Sequence, residues 1–348
     1  MAFDADSVRL ARRGLLAGGG ALGLTGLLAA CGSDGDDGDA AEGASGGSWS
    51  FTDDSGAVIE LDGVPTSIVA FTGLAAALHD FGITPTGVFG PTVNEDGSPT
   101  TQAGNLPVDE IEIIGNTWGE FDIEAYLLLE PQILATHYFI DPSSLWYVPE
   151  ESAEEITSLA EPVLLAADDG ESDLDGVIGR HADLAESLGA DLGSAENVAA
   201  KERYDAALQA LQAAVADNPV TVLACSAAVE YFYASNPVNY PDLRLFTELG
   251  VEFVVPDDPD EAGGAGGYFE PLSWENADKY QADLLLLDSR EVALQPDALT
   301  EFPTWNAITA VQEGQIVGWN SEPTFSYAGS APHIEALAEA IAGAKKLT

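Results

Sequence analysis

From about residue 49 onward, short apolar runs alternate with helical patterns. Residues 67–71 read as a strand, followed by an Ala/Leu-rich helix ending near Phe81, with further strands at 86–89 and 111–114. Residues 123–129 are helical, and Pro131 opens a fourth strand over 132–136. Strands alternating with helices predict a parallel, doubly wound α/β sheet. A helical block over 172–188 and a Gly-containing break precede a long helix at about 195–216. There Tyr204, Leu208, Leu211 and Val215 fall at i, i+4, i+7 and i+11, one apolar stripe on a rod of about 33 Å that Asn218-Pro219 ends. The alternation then restarts, with strands at 220–224, 251–255, 283–288 and 315–319, and helices at 242–249, 274–280, 304–311 and 333–344. A helix of that length, set between two α/β blocks, can join one lobe to another.

The pattern before residue 49 differs. Arg9, Arg12 and Arg13 precede an apolar run over 14–30 that ends on Leu28-Ala29-Ala30-Cys31-Gly32. A basic stretch, an apolar stretch and small residues before a cut make a secretory signal, and 17 residues with six Gly are short for a membrane span. The ending resembles the lipobox of bacterial lipoproteins. This implies that Cys31 is lipidated and becomes the first mature residue, tethering the chain to the outer face of the cytoplasmic membrane. Arg12-Arg13 also resembles a twin-arginine export signal. Residues 32–47 are Gly, Ser, Asp, Ala and Glu without a large apolar residue and read as a flexible stalk. The expected organisation is a signal over 1–30, a linker over 31–48, a first lobe over 49–193, the interlobe helix over 194–217 and a second lobe over 218–348.

Charge narrows the function. Removing the signal removes two Asp and three Arg, leaving 57 acidic against 8 basic residues, a net charge of −49. Nucleic-acid binding needs clustered Lys and Arg and is excluded. Such a field repels anions and attracts cations, while serving solubility and tolerance of salt equally well. With Cys31 carrying lipid, only Cys225 remains, a small apolar residue of a strand rather than a reactive thiol.

Two segments match without a gap at an offset of 151: Ile123-Glu124 with Trp274-Glu275, and Ile133-Leu134-Ala135-Thr136 with Leu284-Leu285-Leu286-Leu287. Several further patterns stand in order. Leu78-His79-Asp80-Phe81-Gly82-Ile83-Thr84-Pro85-Thr86-Gly87-Val88 is an apolar helix followed by a Gly-x-x-Pro-x-Gly-Val strand entry. Asp122-Ile123-Glu124 precedes Leu129-Glu130-Pro131-Gln132-Ile133-Leu134, and Leu272-Ser273-Trp274-Glu275 precedes Ala282-Asp283-Leu284-Leu285. Trp305-Asn306-Ala307-Ile308 precedes Val311-Gln312-Glu313-Gly314-Gln315-Ile316-Val317. Together, over residues 49–345, they resemble the substrate-binding proteins of iron–siderophore and vitamin B12 ABC importers. The resemblance implies a class III periplasmic-binding-protein-like fold, α/β, with two doubly wound lobes joined by one long interdomain helix that limits hinge motion. It implies a monomer that binds a ferric siderophore and partners an ABC permease and its ATPase. It also implies one docking Glu per lobe facing permease Arg residues, Glu124 and Glu275, with Glu120 as the alternative in the first lobe. The permease would read the spacing between those two carboxylates in the loaded protein.

Ligands of open α/β sheets sit beyond the carboxyl ends of the strands. The sequence places there Thr72, Trp118, His137, Tyr138 and Phe139 from the first lobe, and Tyr231, Phe232, Tyr233, Tyr268, Arg290, Trp319, Phe325 and Tyr327 from the second. Aromatic walls suit a bulky, partly apolar chelate. Of the mature chain's four Arg (Arg180, Arg203, Arg244, Arg290), only Arg290 follows a buried strand rather than lying in a helix. Its fork of donors suits the oxygens of a ferric hydroxamate or carboxylate, or a salt bridge to Asp288 or Glu291. So few cations disfavour an anionic catecholate complex and favour a neutral or cationic hydroxamate one. Haem or cobalamin suits the same cleft, with His137 or a Tyr as axial ligand. Direct metal capture needs several converging ligands, and His79, His181 and His333 lie on helices, leaving His137 alone at a strand end. No metal site, resident cofactor or catalytic residue is expected. The one Gly-x-Ser-x-Gly match, over residues 43–47, lies in the stalk, where no nucleophile elbow can form, so a lipid-anchored enzyme is the remaining alternative.

Overall fold

The computed structural model describes residues 48–259 and 266–348. The signal, Cys31, the stalk with its Gly-x-Ser-x-Gly match, and most of the Gly-rich loop over 261–267, which the sequence marks as mobile, lie outside the described residues.

The first sheet has the order β5-β4-β3-β6-β7, all parallel: β3 Ile68–Phe71, β4 Gly87–Phe89, β5 Glu112–Gly115, β6 Ile133–Phe139 and β7 Glu161–Asp168. A hairpin of β1 Trp49–Thr52 and β2 Val58–Leu61 precedes it. The second sheet has the order β11-β9-β8-β12-β13, with β10 Glu252–Phe253 also on β8. Its parallel part joins β8 Thr221–Ala227 to β12 Leu284–Asp288 and β12 to β13 Ile316–Trp319, whereas β9 Tyr231–Ser235 and β11 Phe269–Ser273 add an antiparallel edge. The helices are α1 Thr72–Phe81, α2 Ile123–Leu128, α3 Ala153–Leu159, α4 Leu174–Ser187, α5 Ala195–Asp217, α6 Pro241–Glu248, α7 Pro296–Leu299, α8 Pro303–Ala307, α9 Thr309–Gln312 and α10 Tyr327–Gly343.

The four Leu of β12 show why the second sheet is covered on both faces. Leu284 and Leu286 enter a large core shared with the first lobe, while Leu285 and Leu287 enter a separate core around Phe232 and Trp305. A run of apolar residues without alternation is the signature of such a strand. Cys225 is fully buried beside them, and burial pushes its thiol up, so it is inert.

Helix α5 is the long rod. Ser194 caps it, accepting from Asn197 N–H at 3.2 Å. Near its start, Asn197 Nδ2 donates to Phe81 O (3.1 Å) and Tyr204 OH to Asp175 (2.7 Å), both in the first lobe. At its end, Asn218 Nδ2 donates to Ile341 O and Ala344 O, tying it to α10. Arg203 forks onto Glu335 of α10 at 2.8 and 2.7 Å. Tyr204 and Leu211 of the expected stripe are fully buried, and Leu208 and Val215 pack against the same core. The apolar core therefore runs continuously from the first lobe through these helices to one face of the second sheet, and the described residues form one unit.

Several local expectations change. Strand β6 runs three residues past 136, because β7 pairs with it as far as Phe139. The helix expected at 274–280 is a single turn, Trp274–Asn276. The one expected at 304–311 breaks at Ile308, and the last begins at Tyr327 with Pro332 in its second turn.

Candidate ligand-binding site

The carboxyl ends of the two sheets face one another, as side chains crossing between them show. Thr101 N–H donates to Glu291 (2.7 Å), Gln102 Nε2 to Glu322 (2.9 Å) and Trp146 Nε1 to Glu322 (3.1 Å). On the other flank Arg244 Nη2 reaches Asp168 at 2.8 Å, and Tyr268 OH donates to the same carboxylate at 2.5 Å. A cavity of about 260 Å³ lies at the carboxyl end of the second sheet, lined by second-lobe residues that include Ser226, Tyr233, Tyr240, Asp288, Arg290 and Trp319.

Arg290 follows β12, and Asp288 at the strand end holds it. Asp288 is wholly buried and accepts from Arg290 Nε and, at 2.8 Å, from Nη2. Nη1 donates to Glu322. Burial disfavours the guanidinium's charge, but Glu322 and Asp288 outweigh it, so its pKa is raised and it stays charged. Arg290 is thus salt-bridged to Asp288, one of the two partners expected for that bridge, and it lines the cavity. Glu291 instead serves Thr101 at the rim.

The first lobe carries an aromatic cluster that reaches Arg290 through the bond of Trp146 to Glu322. Trp118 is 63% exposed and its ring lies 5.0 Å from Trp146 and 4.9 Å from Tyr147. Phe139 packs on Trp146 at 4.6 Å and faces Tyr268 at 6.3 Å. Burial pushes the Tyr147 hydroxyl up to about 12; Glu322 adds to the shift and Arg290 opposes it. Trp118 stands in a turn made possible by Gly115: a Cβ there would lie 2.1 Å from Glu120 O. Ile140 and Tyr147 both take left-handed backbone (φ 61° and 62°), which costs non-glycine residues about 1 kcal/mol or more each. They bracket the loop that delivers Trp146 and Tyr147.

The structure separates the expected cleft residues into two groups. Arg290, Tyr233 and Trp319 line the cavity; Phe139 and Tyr268 meet across the lobes, with Tyr268 also against the cavity's Tyr240, and Trp118 packs on Trp146 and Tyr147; Tyr231 is 42% exposed beside Tyr233. His137, Tyr138 and Tyr327 require correction, as do Thr72, Phe232 and Phe325. Because β6 continues to Phe139, His137 points into the core and bonds His181 (Nε2 to Nε2, 2.8 Å), with Phe325 packed on both rings. Tyr138 faces away, donating to Asp54 O at 3.0 Å in a separate hollow with Arg180. Tyr327 opens α10 and packs against Phe81 and Tyr204 under Lys201. Thr72 bonds Phe89 O and Thr92, and Phe232 fills the second lobe's core. The residues missed from sequence are Trp146, Tyr147, Tyr240 and Glu322. An adjacent Trp-Tyr pair in the loop after a parallel strand was the available signal for the first two.

The His pair is a structural element. His181 Nδ1–H donates to Val177 O at 2.8 Å, so its Nε2 accepts from His137 Nε2–H. Burial holds His137 well below its ordinary value, with His181 adding to the shift, and brings His181 down to about 4. A ring kept neutral, buried and bonded on both nitrogens in this way is the helix histidine of a packed core. Trp319 is likewise fixed from behind: its Nε1–H donates to Asp242 at 2.7 Å, and burial raises that carboxyl to about 6. Among the described residues no three His, Cys, Asp or Glu side chains converge to hold a metal ion, and no helix is long and apolar enough to cross a membrane.

Glu124 lies in the first turn of α2, capped by Asp122, and is exposed, as is Glu275 in its single turn before β12. Glu120, the alternative to Glu124, accepts from Asn116 N–H and Thr117 N–H and so shapes the Trp118 turn.

The periplasmic binding protein family model matches residues 87–323. No curated protein matches the chain. Among solved structures, DesE, a ferric-siderophore receptor protein from Streptomyces coelicolor, is 45% identical, with 86% of this chain and 100% of that one covered and a TM-score of 0.82. The triscatecholate siderophore binding protein FeuA from Bacillus subtilis is 18% identical over 82% of this chain and 95% of its own (TM-score 0.57). The Fe3+-Desferal-bound siderophore binding protein FhuD from Vibrio cholerae is 16% identical over 80% and 98% (TM-score 0.55), and these last two share the fold alone. The paired lobes, the rod between them and the match over most of the sequence lead to one conclusion: the chain belongs to the periplasmic binding protein family.

Proposed function

We propose that this chain is an extracytoplasmic receptor that captures a ferric siderophore of hydroxamate type between its lobes and presents it to an ABC importer permease with its ATPase. The observation that carries the reading is Arg290, held by Asp288 and Glu322 in a cavity with tyrosine and tryptophan walls. Three of its five N–H groups are used by those carboxylates, which leaves two for chelate oxygens. The 45% identity to a ferric-siderophore receptor supports the same class. Haem fares worse, since His137 spends its Nε2 on His181 inside the core. The export signal and Cys31 make the chain a lipoprotein on the outer face of the cytoplasmic membrane, and exposed Glu124 and Glu275 are its docking carboxylates. The reading has no catalytic step.

Quenching of Trp fluorescence by ferrioxamine and by ferric enterobactin tests the ligand class. Saturable quenching by ferrioxamine supports it; tighter binding of the catecholate, or a Soret band in the purified protein, overturns it. A Cys31→Ser chain should leave the membrane fraction.

A further inference from the structure

Glu322 joins Arg290, the cation of the cavity, to the first lobe through one side chain. It follows β13, and its two oxygens address opposite partners. One pairs with Arg290 of the second lobe, and the other accepts from Gln102 and Trp146 of the first, at 2.9 and 3.1 Å. Asp288 already matches the Arg290 charge from behind. Two carboxylates therefore flank one guanidinium, and Glu291 adds a third at the rim, held by Thr101. Arg244, the other arginine that crosses between the lobes, is committed to Asp168 and to the carbonyls of Ser172 and Val238. Arg290 thus acts on a ligand as a source of directed N–H donors inside a site whose sum is negative. Asp288 alone would give a neutral pair; Glu322 is the residue that tips the balance.

We propose that Glu322 determines the charge class of the ligand, so that the cleft selects a chelate bearing a positive group over the same chelate without one. The inference rests on the siderophore reading and narrows it. A ferric trihydroxamate core is neutral, so a pendant ammonium makes the complex a cation, whereas a ferric tris-catecholate carries three negative charges. One added charge near a negative site in a partly screened cleft changes affinity by about tenfold.

The test uses ferrioxamine B, with its free ammonium, and its N-acetylated form, which keeps the iron core and loses the charge. Both are titrated by Trp quenching at one fixed ionic strength. The wild type should bind the cation about tenfold more tightly. Glu322→Gln should shrink that ratio at least threefold, and Glu322→Asp, which keeps the charge, should retain it. A general loosening of the lobes weakens both chelates together and leaves the ratio alone. Equal affinities in the wild type overturn the inference while leaving the siderophore reading intact, and so does a Glu322→Gln ratio unchanged from wild type. If Glu322→Gln does not fold, the wild-type ratio and its retention in Glu322→Asp decide. Failure of the wild type to bind either chelate overturns both readings.

Discussion

Replacing His137 and His181 together, His137→Phe with His181→Leu, should remove an acid sensitivity that the wild type carries in its first lobe. His181 titrates at about 4 in the fold against about 6.5 in an unfolded chain. Burial sets this, with the bond to Val177 O and the charge of Asp54 opposing it and Arg180 adding to it. The folded value is depressed, so the unfolded chain binds more protons between the two values. The associated stability is complete above pH 6.5 and drains away as pH falls towards 4. From His181 alone the loss is about 2 kcal/mol at pH 5 and about 3 kcal/mol at pH 4. His137 shifts in the same direction and adds to it. Lowering pH also relieves self-repulsion in a chain of net charge −48, but does so equally in both proteins, so the difference isolates the pair. Urea unfolding at pH 7.5, 6 and 5 is the assay. The double variant should overtake the wild type by about 2 kcal/mol or more between the first and last condition, seen in thermal melts as roughly 4 °C. Parallel pH dependences in the two proteins would refute the tautomer assignment and the burial argument together.

Gly115→Ala should cost about 2 kcal/mol or more, because the new methyl meets the Glu120 carbonyl and backbone cannot rotate aside; ligand titration should show the displaced Trp118 turn as a further loss of affinity. Trp118→Ala should barely change the melt, since the ring is mostly exposed, yet weaken ligand binding by about tenfold in fluorescence-independent calorimetry. Arg290→Lys should stay folded, keeping a cation beside Asp288, while ligand affinity drops about tenfold with loss of the fork. Glu124→Ala with Glu275→Ala should leave ligand affinity at the wild-type value and abolish iron-siderophore uptake by cells; lost affinity in the isolated protein would contradict their docking role.

The fold was legible where a segment's own pattern decides its fate. Leu284 to Leu287 could only be a doubly covered strand, and the 204–208–211–215 stripe could only be one helix face. It was not legible where a neighbour decides. β6 gains Phe139 from pairing with β7, and that extension turns His137 and Tyr138 out of the cleft. The alternating Tyr231–Ser235 strand needs β8 and β11 beside it, so its rings looked like loop residues. Arg290 could be found by elimination, being the one Arg after a buried strand. Glu322 could not, because nothing in a chain with 59 acidic residues marks the carboxylate that joins Arg290 to Gln102 and Trp146 of the first lobe. Tyr327 failed for a related reason: the last helix begins at Tyr327, capped by the Ser326 hydroxyl, six residues before the pattern suggests.

Helices α5 and α10 lie side by side, and each is bonded to both halves of the molecule. A backbone braced in this manner limits how far the two lobes can move relative to each other on binding, and so how much the spacing of Glu124 and Glu275 can report loading. Under the docking proposed above, an importer would then meet two near-identical visitors, and the vacant one would occupy the same berth without cargo. On that proposal throughput would become a matter of stoichiometry: surplus receptor in iron-poor surroundings would slow its own delivery line.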